Sequence, residues 1–163
     1  MVTRPSSSTC PDLRRRSGVL AAALAAAILG GGCGAAGGDQ AAAPSFASAP
    51  FQTVTSSSGR LQVALRWSPA VPVKGENTVE LTFLDQDGGP VTDLSATVVP
   101  WMPAHAHGTS VQPVVTTTAP GVVVATPLYL YMAGEWQIRV TTMTATATSG
   151  GADDAAVGTV QIQ

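Results

Sequence analysis

Met102, His105 and His107 are the residues in this chain with the clearest chemistry. They sit in MPAHAHGT, from Met102 to Thr109, and the two histidines are the chain's whole complement. Imidazole suits copper and zinc, and thioether is a soft donor that favours Cu(I). Side chains at i and i+2 of an extended segment project to one side, so both rings can reach one ion. Pro100 and Pro103 restrict the loop backbone, and Gly108 lets the chain turn sharply after it. Met132 ends the run VVVATPLYLYM and can lie beside the histidine loop if the fold brings strand ends together. A set of Met102, His105, His107 and Met132, with no Cys or carboxylate nearby, points to copper over zinc and to Cu(I) over Cu(II). Two other readings stand beside this one. In the first the loop is structural: Trp101 and Met102 pack beneath it and the histidines bond to backbone carbonyls. In the second the histidines sense pH, because imidazole titrates near neutrality.

The elements that must position these residues read as strands. Leu61, Val63, Leu65 and Trp67 alternate with polar or small residues from Arg60 onward, the period of a half-buried strand. PAVPVKG, Pro69 to Gly75, breaks the pattern. Val79, Leu81 and Phe83 alternate with Thr78, Glu80 and Thr82 in a second strand. DQDGGP, Asp85 to Pro90, is a turn, because Asp and Gly tolerate the angles of a tight reversal. Asp85 and Asp87 do not make a calcium loop, since the segment is short and lacks a distal Glu. Further strands are expected at Leu94 to Val99, Gln112 to Thr118, Val122 to Met132, Glu135 to Met143 and Val157 to Ile162. Asp153 and Asp154 close the loop before the last. About seven short strands with regular turn signals make an all-β, antiparallel β-sandwich. Trp67, Phe83, Trp136 and Ile138 are its large core fillers. Tyr129 and Tyr131 share the face opposite Leu128, Leu130 and Met132, where they can form a partner surface.

The N-terminal part reads differently. Arg4, Arg14, Arg15 and Arg16 precede the apolar run VLAAALAAAIL, Val19 to Leu29. That is the arrangement of an export signal, and the run falls short of the roughly 20 residues a membrane span needs. The segment LGGGCG resembles a bacterial lipobox, which implies lipid on Cys33 and removal of Cys10 with the signal. Ordinary cleavage near Ala41 to Ala43 is the alternative. Residues 1–32 are thus expected to be a signal peptide. Residues 33–58, rich in Ala, Gly, Ser and Pro, are a flexible linker, and 59–163 the folded domain.

Composition narrows the function classes. The chain has 163 residues, with 45% hydrophobic but only 5% aromatic and 11% charged. Beyond Cys33, four basic residues face nine acidic ones, a net charge of −5. No basic cluster supports nucleic-acid binding. With Cys10 and Cys33 assigned to the signal and anchor, no thiol remains for a disulfide or thiolate metal site. No Ser lies in a Gly-x-Ser-x-Gly elbow, and Ser110 near the histidines has no orienting acid, so an enzyme is not expected.

Asp85, Gly88 and Pro90-Val91, then Met102-Pro103-Ala104-His105-Ala106-His107-Gly108, then Tyr131-Met132-Ala133-Gly134-Glu135-Trp136 form one pattern. Over about Gly75 to Val140 it resembles the YtkA-like and FixH-like group of small bacterial extracytoplasmic domains. Two features depart from that group: the transmembrane anchor of FixH is missing, and the usual Gly-x-Tyr is Gly121-Val122-Val123 here. The resemblance implies an immunoglobulin-like sandwich and a link to copper-oxidase assembly. The expectation is a membrane-anchored extracytoplasmic lipoprotein that binds copper or delivers it to an envelope protein such as an oxidase. The alternative is a metal-free interaction or structural module of the envelope.

Overall fold

A computed structural model describes residues 43–144 and 154–163. The expected signal peptide, Cys33 and the first part of the linker lie outside the described residues.

Among the described residues, nine strands make two antiparallel sheets. They are β1 (Gln52–Thr55), β2 (Gln62–Ser68), β3 (Gly75–Leu84), β4 (Leu94–Met102), β5 (His107–Gly108), β6 (Val114–Ala119), β7 (Val122–Leu130), β8 (Gly134–Thr144) and β9 (Asp154–Ile162). One sheet has the order β1-β2-β3-β7-β6 and the other β5-β4-β8-β9. This is the expected β-sandwich.

Alternation builds the core. Val63, Leu65 and Trp67 of β2 and Val79, Leu81 and Phe83 of β3 face inward from one sheet. Val98 and Met102 of β4, Trp136, Ile138 and Val140 of β8, and Ala156, Val160 and Ile162 of β9 meet them from the other. Trp67, Phe83, Trp136 and Ile138 are all buried, as the composition predicts.

In β7 the inward positions change parity. Val123 and Ala125 are buried, then Leu128 and Leu130. The register explains this: Asn77 pairs with Leu128 and Val79 with Ala125, so two steps on β3 match three on β7. The extra residue is a β-bulge at Thr126-Pro127, a place where an interior strand tolerates proline. Without it every residue beyond Ala125 would present the wrong face.

The structure corrects several sequence-based boundaries. β1 lies inside the stretch expected to be linker, because Gln52 to Thr55 pair with Leu65 to Gln62 and half-bury Val54. β9 begins at Asp154, not Val157, and Asp154 is an interior residue, not the end of an exposed loop. β7 stops at Leu130, so Met132 belongs to the turn that follows.

Two further features hold the sandwich ends. The Asp85 carboxylate accepts the N–H groups of Asp87 (2.9 Å) and Gly89 (2.7 Å), and Gly88 takes φ +83°, which closes the β3–β4 turn. β1 reaches across to the other sheet, where the Gln52 Oε1 accepts the Thr159 N–H at 3.0 Å.

Candidate metal centre

The histidine loop is a tight hairpin. β4 runs to Met102, a single 3₁₀ turn covers Pro103–His105, and β5 returns with His107 opposite Met102 and Gly108 opposite Trp101. Pro103 suits the first helical position, where its missing N–H is no loss. Ala106 reverses the chain in the left-handed region, φ 52°, and its N–H donates to the Pro103 carbonyl. Gly108 is required by close approach: a Cβ there would stand 2.7 Å from the Pro100 carbonyl oxygen.

This hairpin brings the two imidazoles together. Their ring centroids lie 5.7 Å apart, and both residues are exposed. With a metal–nitrogen distance of about 2.0 Å, two imidazoles on one ion have ring centres roughly 5–6 Å apart. His107 Nδ1 lies 2.9 Å from the Gly108 carbonyl oxygen. A carbonyl only accepts, so Nδ1 carries a proton, and in the neutral imidazole Nε2 is then the nitrogen with the lone pair. This is the usual way a backbone carbonyl sets the ligating nitrogen of a histidine.

The Met102 thioether sits below. Met102 is 2% exposed because β4 alternation turns it inward with Val98. A Cβ on Gly134 would stand 2.7 Å from Met102 Cε, so that glycine makes room for the methionine. The 3₁₀ turn lies against the start of β8. Met132, two residues before Gly134, is half-buried against the core, and its carbonyl accepts the Trp136 indole N–H at 2.9 Å. The structure brings Met102 beside Gly134 and the two imidazoles beside each other, and packs Met132 against the core. Met102, however, is a floor beneath the loop and is not open beside the histidines. Among the described residues, no cluster of three or more His, Cys, Asp or Glu is placed to hold an ion.

Tyr129 and Tyr131 stack nearly parallel, 9° apart with centroids 5.0 Å apart, and Tyr131 is 56% exposed. The Glu76 charge opposite Tyr129 raises that phenol's pKa, and desolvation adds to the rise.

Two groups escaped sequence reasoning. Arg139 lies over the Trp101 ring, 4.5 Å from its centroid, and donates to Gln137. Asp154 is buried among Ser57, Ser58 and the Ala155 N–H. Its serine partners lie nearly a hundred positions away, beyond the reach of any local pattern.

The model of the YtkA-like family matches residues 55–141. The chain belongs to the YtkA-like family. The match spans the histidine hairpin and the Met132–Trp136 turn together with β2 to most of β8, and leaves β9 outside. No curated protein and no solved structure matches the chain.

Proposed function

We propose that this YtkA-like domain is an extracytoplasmic copper-binding or copper-delivering module. His105 and His107 hold the ion, and Met102 and Met132 line the floor beneath it. The observation that carries this reading is the pair of exposed imidazoles at a separation suited to one ion, one of them fixed with Nε2 free. Neutral imidazole is a good copper ligand, and polarizable thioethers below the site suit a soft ion. Lipid on Cys33 tethers the domain to a membrane, and its partner is a copper protein or oxidase of the envelope. The domain acts by binding and transfer, not catalysis.

The deciding experiment titrates the purified protein with Cu(I) against a competing chelator, beside the His105→Ala/His107→Ala variant. Cys10→Ser and Cys33→Ser are present in both, so that no thiol competes. Tight binding that the histidine variant loses by at least about tenfold, or 1.4 kcal/mol, supports the reading. Equal binding by both overturns it. The function then moves to a metal-free interaction module, for which the exposed Tyr129–Tyr131 stack is the contact surface.

A further inference from the structure

We propose that the copper site is shared between two copies of this chain, each supplying His105 and His107 to one ion. This rests on the copper reading above and adds to it who completes the coordination.

The argument begins with a shortage of donors. His105 and His107 are exposed on the tip of their hairpin, so an ion held there has its outer side open. Met102 is buried, and Met132 is packed against the core. Among the described residues no further His, Cys, Asp or Glu joins the pair in a metal-holding cluster. Zinc and copper held by imidazole commonly take about four donors, and this hairpin offers two. A two-fold axis through the ion converts one pair into four imidazoles, with the same patch used on both copies.

The surroundings favour this partner. From Leu94 to Gly134 the sequence has no Asp, Glu, Lys or Arg. The hairpin lies within that stretch, although the chain beyond Cys33 is acidic overall. The charged side chains beside it come from β8, Arg139 over Trp101 and the exposed Glu135, one of each sign, so two copies can meet there without placing a block of like charge face to face. Val111 and Val114, just beyond the hairpin, are exposed and give the approach some apolar contact.

The test uses Cu(II) as the probe and the chain with Cys10→Ser and Cys33→Ser. Sedimentation measures mass as copper is added, and metal analysis of the separated species gives the copper content. The expected result is a doubling of mass that saturates at about one copper per two chains, reversed by chelator. His107→Ala should bind no copper at this stoichiometry and stay at the metal-free mass. Its fold should be intact because the side chain is exposed, and an unchanged metal-free melting temperature verifies that. One copper per chain with no change in mass overturns the shared site and leaves the copper reading standing. No Cu(II) bound by either chain overturns the shared site, while the copper reading itself stands or falls by the Cu(I) titration above. A mass doubling that persists in His107→Ala also overturns the proposal, since the association then owes nothing to the site.

Discussion

Asp154 is the residue whose environment departs most from what its type predicts. It is 3% exposed, and burial alone raises a carboxyl's pKa. The hydrogen bonds outweigh burial. Ser58 donates from its N–H and its hydroxyl, Ser57 from its hydroxyl, and together with Ser56 they hold the acid well below the usual carboxylate range. A group whose folded pKa is depressed contributes stability above its unfolded value of about 3.9. That contribution is lost as pH falls from there toward the folded value. Asp154→Ala should therefore lower stability at pH 7 by roughly 1.5–3 kcal/mol, the range for hydrogen bonds to a charged group. Its melting temperature should also fall less steeply than the wild type's between pH 5 and pH 2. Thermal unfolding across that range checks both, and parallel acid slopes for the two proteins would remove Asp154 from the account. His107 is the contrasting case at this scale. Its type and position were readable, but the bond from Nδ1 to the next residue's carbonyl comes only from the hairpin geometry.

At the scale of elements, the β4–β5 hairpin and the β7 bulge each depend on one local exception. The hairpin needs Gly108, because its α-carbon passes under the Pro100 carbonyl. That neighbour is backbone and cannot rotate aside. Gly108→Ala should cost about 1–3 kcal/mol, as overpacking does, and lower the melting temperature by several degrees. Because His107 is adjacent, opening the hairpin should also separate the imidazoles and weaken copper binding. Calorimetry and the chelator titration read the two effects together. A stable protein with unchanged copper affinity would mean that the hairpin adapts and does not set the site. The bulge acts at a distance: by shifting parity after Ala125 it buries Leu128 and Leu130 and leaves Tyr129 and Tyr131 outside. The sequence already placed the tyrosines opposite the leucines, since alternation within Leu128 to Met132 is local. The parity change itself was not legible, because a run such as VVVATPL has no regular alternation of apolar and polar residues from which to read a phase.

Over the whole molecule, what was legible follows from where alternation is strong. β2, β3, β4, β7 and β8 carry large inward residues at period two, and their existence was readable from Leu61 to Met143. β1 and β5 were not. β5 has two residues and no period at all. β1 has four, preceded by Ala, Ser and Pro, and its only apolar residue is the half-buried Val54. What fixes β1 is tertiary. Phe51 packs edge-on against Trp67, with centroids 6.5 Å apart. The Ser57 N–H donates to the Ala155 carbonyl at 2.7 Å, and Ser57 and Ser58 bond to Asp154. The segment from Phe51 to Ser58 thus seals one side of the sandwich by tying β2 to β9. Composition assigns this segment to a tether, and packing assigns it to the domain, so truncation separates the two. A chain beginning at Ser45 keeps every one of these contacts and should match the full chain's domain stability. A chain beginning at Arg60 loses β1, leaves β2 as an open edge and strips the serine donors from a buried carboxylate. An unprotected edge strand promotes association between copies. The shorter chain should melt well below the longer one, with aggregation on heating, when the two are compared by circular dichroism and light scattering. Equal melting of the two would return residues 51–58 to the tether and limit the sandwich to eight strands.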